Sequence, residues 1–263
     1  MTKWLLRSMT ELSSRKWISR ITGKFAQSSA SQRFISRFAA TYGIKIEEAE
    51  KPLSEYRTLN EFFTRRLKPG LRSTDEAEDS LVSPVDAVIT GAGFINSGTI
   101  LNVKGQNYTI DELLNRSPRT ANYMNGFYLV LYLSPTDYHR IHAPVSGRIV
   151  EREHIAGKVY PVNDFGLRHM RRVLSRNERL ITYMRNESGE TAVVKVGAMN
   201  VSSIQYVQPM KDEMKKGEEL AYFEFGSTVV LLMEDETFTP RGDIMPGVKV
   251  RMGERLGSHR GQR

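Results

Sequence analysis

The chain has no cysteine. Disulfides, thiolate nucleophiles and cysteine-ligated zinc are excluded together. No apolar run approaches the roughly 18 residues of a spanning helix. Arg7, Arg15 and Arg20 interrupt any apolar core near the N-terminus, so a signal peptide fits badly. A G-x-S-x-G elbow, a Walker A loop, a G-x-G-x-x-G turn after a strand and an H-E-x-x-H helix are all missing. If the chain is an enzyme, no common cofactor loop announces its chemistry. Acidic residues are scarce in one place. Across residues 1–43 only Glu11 faces Lys3, Arg7, Arg15, Lys16, Arg20, Lys24, Arg33 and Arg37.

Apolar residues are interleaved with those cations at helical spacing: Trp4, Leu5, Met9 and Leu12, then Trp17, Ile18, Ile21 and Phe25. The pattern predicts basic amphipathic helices over 1–43, suited to a membrane interface. Each Lys or Arg near an anionic surface adds about 1 kcal/mol. The plainer alternative is a surface helix docked on its own core. The whole chain carries a formal net charge of +8, which also suits an anionic partner. Nucleic acid is disfavoured, because the basic residues are not interleaved with a recognisable stacking motif.

The 263 residues, 40% of them hydrophobic, suffice for one large domain with an appendage. In "YRTLNEFFTRRLKPG", Thr58 and Glu61 form a capping box, and Leu59, Phe62, Phe63 and Leu67 share one helical face. Pro69 and Gly70 are expected to end that helix. Residues 71–80 read as a loop. From Leu81 onward, short apolar runs alternate with turn residues, and "NESGE" reads as a hairpin turn. A short helix is marked at Thr109 to Glu112. The expectation is an α+β, mainly β protein. Its antiparallel, barrel-like catalytic core, 44–263, follows the N-terminal amphipathic helices of 1–43.

The candidate chemistry lies in three places. "DYHRIHAPVSG" holds His139 and His142. An H-x-x-H pair can bind metal, but no third ligand stands out, and no metal site is expected. Asp86 in "SPVDAVI" enters an apolar strand, where a carboxylate is costly unless paired. A turn-capping role is the plainer reading. In "YFEFGSTVVLLME", Gly226, Ser227 and Thr228 interrupt what otherwise reads as a buried strand. A serine needs a base, and the base an orienting acid. Asp86, a histidine of the pair and Ser227 supply those types, although spacing alone does not join them.

Four ordered segments change the argument: "YGIKIEEAEKPLSEYRTLNEFFTRRLKPGLR", "SPVDAVI", "DYHRIHAPVSG" and "FEFGSTVV". Together they resemble the phosphatidylserine decarboxylase family, over about Trp4 to Val250. "KVGAMNVSSI" and "LSRNERL" are also similar to family segments. Two departures are small: Ala87 stands where many members have Gly, and Ser202 replaces the Gly of "VGSI".

The resemblance implies a proenzyme that cuts itself between Gly226 and Ser227. The products are a β chain, 1–226, and an α chain, 227–263. Ser227 becomes a covalent pyruvoyl group that forms a Schiff base with the substrate. The family's Asp-His-Ser arrangement maps onto Asp86, His142 and Ser227. His142 would deprotonate Ser227 while Asp86 fixes its tautomer. The proton returned to substrate Cα would come from His139 or His142, with His139 preferred. The implied reaction converts phosphatidylserine to phosphatidylethanolamine and CO2. It would occur at the cytoplasmic side of the cell membrane, in a peripheral enzyme that can form a homodimer. Two alternatives stand beside it. One is a serine hydrolase using Asp86, His142 and Ser227 on external esters. The other is a non-catalytic, basic membrane-binding β module.

Overall fold

A run such as "STVVLLM" forms a stable strand where both of its faces are covered. The centre of a large antiparallel sheet provides that setting. The computed structural model describes residues 16–103, 106–160, 162, 170, 172–198, 204–224 and 227–259. Among these, eight strands pair in one sheet. In spatial order they are β11 (Glu213–Met214), β7 (Gly147–Ile155), β8 (Arg179–Asn186), β9 (Gly189–Gly197), β13 (Ser227–Met233), β5 (Phe127–Leu133), β2 (Ala87–Phe94) and β15 (Lys249–Val250). Every neighbouring pair is antiparallel. The mainly β, antiparallel expectation holds. The sheet is open, with β11 and β15 at its edges, and does not close into a barrel.

Alternation along β13 sends successive side chains to opposite faces. Val230 and Leu232 join Val194, Val196 and Ile181 on the first face. That face is covered by α4 (Ile110–Leu113), α5 (Val173–Arg176) and Tyr108 of the strand pair β3 (Thr99–Val103) and β4 (Gln106–Thr109). Val229, Leu231 and Met233 join Leu129, Leu131 and Val193 on the second. Two three-stranded sheets cover the second face. One is β10 (Ile204–Tyr206), β12 (Glu219–Phe223) and β6 (Arg140–His142). The other is β1 (Ser80–Val82), β16 (Arg255–His259) and β14 (Phe238–Pro240). Each fully buried Val or Leu contributes about 1.5–3 kcal/mol, which favours covering both faces at the centre of the sheet, whereas β7 near its edge is mostly exposed or half-buried.

The N-terminal segment forms α1 (Lys16–Gln27) and α2 (Ile35–Tyr42) around a short 3-10 turn. Gly43 ends α2 in the left-handed conformation, at φ 63°. Ile35, Ala39, Tyr56 and Phe62 make a small separate core. Ala26 is buried, whereas Phe25 and Phe34 remain 44% and 37% exposed. Trp4 lies outside the described residues, as does the side chain of Trp17.

The helix after the capping box is shorter than its apolar spacing predicts. It is α3 (Leu59–Phe63), with Thr58 Oγ1 accepting from the Glu61 N–H at 3.0 Å. It stops at Thr64, well before Pro69 and Gly70. Beyond it the chain pairs with an earlier segment: Glu50 N–H donates to Arg66 O, and Lys68 N–H to Glu48 O, both at 2.9 Å. That ladder pulls Leu67 off the helical path and leaves Arg65 in the crossing.

Candidate functional site

Ser227 is the first residue of β13, and its backbone is held on both sides. Its register partners are Leu133 on β5 and Gly197 on β9. By alternation, position 227 belongs to the second face, with 229 and 231. Phe225 and Gly226 lie outside the described residues, as do the side chain of Ser227 and all of Ser202.

The histidine pair reaches this region through β12, the strand that leads to Gly226. The Phe223 N–H donates to the His139 carbonyl at 3.1 Å. His139 is fully buried. Its Nδ1 lies 2.8 Å from the Asp137 carbonyl. A carbonyl only accepts, so Nδ1 carries the hydrogen and Nε2 carries a lone pair. That Nε2 is buried without a hydrogen-bond partner among the described residues. The ring packs against Phe63, with centroids 4.0 Å apart. Burial pushes the pKa of His139 down to about 3, so the ring is neutral.

His142 follows the same logic with different partners. Its Nδ1 is 2.7 Å from the Gly217 carbonyl, and its Nε2 is 3.1 Å from the Tyr138 hydroxyl. The Gly217 carbonyl therefore sets the tautomer, and Nε2 is the basic atom. Gly217 has φ 84°, and a side chain there would collide with Thr74. Burial is the main cause that lowers the His142 pKa.

Asp86 is held differently from expectation. Its carboxylate accepts from Arg72 Nε at 2.9 Å, from Arg72 Nη2 at 2.5 Å and from the Met252 N–H at 2.8 Å. Arg72 also reaches Glu48 at 3.1 Å. No hydrogen bond joins Asp86 to His142. The two are brought together through the backbone, where the His142 N–H donates to Pro84 O at 2.9 Å. Asp86 acts on His142 through its field, as the least of the influences on that ring.

Sequence reasoning missed four further groups here. Tyr138 occupies His142 Nε2. Glu224, two residues before Gly226, is buried and accepts from Gln27 Nε2 and Asn60 Nδ2, each at 3.3 Å. Arg65 is buried beside the β5–β6 turn. Lys195 is fully buried on β9, where its Nζ donates to Thr182 Oγ1 at 2.6 Å, 5.3 Å from the Tyr206 ring centroid. Lys195 and Glu224 left a signal, each as a charge inside an apolar run, "AVVKVGA" and "LAYFEF".

The arrangement defines a class: an open antiparallel β protein whose candidate chemistry rests on two neutral histidines and a strand-initial serine. The family pattern described as phosphatidylserine decarboxylase matches residues 59–258. A phosphatidylserine decarboxylase proenzyme from Anoxybacillus flavithermus is 46% identical over 257 residues, covering 98% of this chain and 97% of that one. The proenzyme from Geobacillus kaustophilus is 45% identical over the same shares. That from Bacillus thuringiensis is 43% identical over 97% of each chain. The chain belongs to the phosphatidylserine decarboxylase family, as the four ordered segments imply.

Proposed function

We propose that this protein decarboxylates phosphatidylserine to phosphatidylethanolamine and CO2, after cutting its own chain between Gly226 and Ser227. Similarity to proenzymes over nearly the whole chain supports the reaction. For the site, the reading rests on one observation: the buried, unpartnered Nε2 of His139 beside the strand that leads to Gly226. A buried base left unpaired is costly, and a reacting proton gives it a use.

In the first reaction Ser227 Oγ attacks the Gly226 carbonyl carbon. The peptide C–N bond breaks and an ester forms. Loss of the Ser227 Cα proton and cleavage of Cβ–O then release the Gly226 carboxylate. The dehydroalanine left at residue 227 takes up water and loses ammonia, which leaves a pyruvoyl group with no change in overall oxidation state. His142 is the base for this step. Its Nε2 is the unprotonated nitrogen, and it reaches the serine by leaving Tyr138. Asp86 stabilises the supporting loop through Arg72 and Met252. A positioned base contributes about 10²–10⁴-fold.

The residues at 227 fit such a group. The strand start is paired on both sides, and Thr228 Oγ1 and His139 Nε2 are buried without partners. A pyruvoyl group at residue 227 would supply the electron sink for loss of CO2. His139 Nε2 would be the group that hands a proton to substrate Cα after CO2 has left. Phe63 packs against the His139 ring, with centroids 4.0 Å apart.

Residues 1–43 hold the enzyme at the bilayer, and 44–263 form the catalytic domain. Exposed Phe25 and Phe34, with Arg33 5.1 Å from the Phe34 ring centroid, support an interfacial contact. Among the described residues no helix is long and apolar enough to cross a membrane. Purified protein should release CO2 from carboxyl-labelled phosphatidylserine in vesicles. Release of fatty acid without CO2 would favour the hydrolase instead.

A further inference from the structure

Three arginines lie close together in the segment after α3, and one of them is left without a counter-ion. Arg66 makes two bonds to Glu219, at 3.1 and 3.0 Å. Arg72 holds Asp86 and Glu48. Arg65 is the most buried of the three, at 4% exposure. Its Nη1 and Nη2 donate to the carbonyls of Phe62 and Thr136 at 3.5 and 3.3 Å, and its buried Nε has no partner. No carboxylate among the described residues forms an ion pair with it. A guanidinium keeps its charge even when buried. Leaving that charge without a carboxylate is costly, and two long bonds to neutral carbonyls with the Phe62 ring, 5.1 Å from its Cζ, offset only part of it.

Arg65 lines a cavity of about 460 Å³. Ser134 is also in its wall, and Ser134 directly follows Leu133, the register partner of Ser227. The cavity therefore lies at the end of the sheet where β13 begins. Lys249 and Arg251 line it with exposed side chains that make no ion pair among the described residues. Asp86 in the same wall pairs with Arg72, and Glu48 pairs with both Arg72 and Lys45. The remaining acid is Asp137, whose carboxylate accepts the Ser134 N–H at 2.7 Å.

We propose that Arg65 binds the phosphodiester of the substrate headgroup, with Lys249 and Arg251 drawing the anionic lipid into the cavity. This rests on the decarboxylase reading above. The headgroup carries two anionic groups, and the chemistry separates them. The carboxylate loses its charge as CO2 departs, so a cation on it would stabilise the starting state and slow the reaction. The phosphate keeps its charge throughout. A guanidinium on phosphate gives uniform binding, which appears in KM and leaves kcat nearly unchanged.

Two measurements test this. In the processed enzyme, Arg65→Met should raise KM for phosphatidylserine about tenfold or more while kcat stays within about threefold. Arg65→Lys should fall between. In the uncleavable Ser227→Ala chain, titration with glycerophosphoserine should show binding that Arg65→Met removes. Free serine should bind equally weakly to both. The binding arm needs no pyruvoyl group, so it stands apart from the activity. Absence of CO2 release by the unsubstituted enzyme would refute the decarboxylase reading, while unchanged glycerophosphoserine affinity in Arg65→Met would refute this site. A fall in kcat at constant KM would also overturn it. Inorganic phosphate binding as tightly as glycerophosphoserine would mark a free-anion site and overturn the headgroup assignment. If Arg65→Met does not fold, Arg65→Lys on the Ser227→Ala background decides: equal glycerophosphoserine affinity contradicts the proposal.

Discussion

Gln27 donates to both carboxylate oxygens of Glu224, at 3.3 Å each. The last residue of α1 is thereby tied to the chain two residues before Gly226. Asn60 of α3 donates to the same carboxylate. The helices expected to meet the membrane and the bond expected to break share one buried acid.

Glu224→Ala should therefore slow self-cleavage and leave the large sheet folded. Each lost charge-assisted bond is worth about 1.5–3 kcal/mol at best, and less at these lengths. Gln27→Ala should show a smaller effect of the same sign. The fraction of uncut chain, followed by gel after a pulse of synthesis, measures it. Equal processing rates would mean that the contact is only structural.

The two histidines should separate by reaction. His142→Ala should remain uncut, because the base for Ser227 is gone. His139→Ala should be cut but release CO2 at least about 10²-fold more slowly. Gel analysis and a CO2 assay of both variants distinguish the roles. An uncut His139→Ala would reassign the base.

His139 also fixes a pH dependence of stability. Its folded pKa is about 3, below an unfolded value near 6.5. Below pH 6.5 the unfolded chain takes up a proton that the folded chain refuses. Its contribution is thus full above about pH 6.5 and lost as pH falls toward 3. His139→Phe should flatten the slope of unfolding free energy between pH 6 and 4, measured by urea titration. A slope as steep as that of the unsubstituted protein would contradict the buried, neutral ring.

Lys195 gives a parallel case at higher pH. Burial holds its amine well below the usual lysine range. The unfolded chain binds a proton below about pH 10.4 that the folded chain does not. Lys195→Met should therefore raise the melting temperature at pH 7 more than at pH 10. Lys195→Glu should not yield folded protein. A destabilised Lys195→Met would show that the bond to Thr182 outweighs the desolvation of the amine.

Much of the site could be read from local sequence, because the signals were local. The capping oxygens of Thr58 and Thr109 accept the bonds that their spacing requires. The turn at Glu187 and Ser188 joins β8 to β9, with Asn186 opposite Gly189. Ser227, in the small-residue stretch of "YFEFGSTVVLLME", is the first residue of β13. What escaped were pairings between distant segments. Gln27 meets Glu224 across 197 positions, and Arg72 holds the Asp86 carboxylate that the resemblance implies for His142. The helix at α3 was read too long for the same reason. Its apolar spacing continues to Leu67, but a ladder with residues 48–50 competes for the backbone.

The central claim is self-processing at Gly226–Ser227, and an intact mass spectrum of the purified protein beside Ser227→Ala tests it most directly. The account predicts two chains, 1–226 and 227–263, the smaller with a keto-blocked N-terminus, and one full-length mass for Ser227→Ala. A single full-length mass for the folded, unsubstituted protein would contradict it and remove the electron sink from the mechanism.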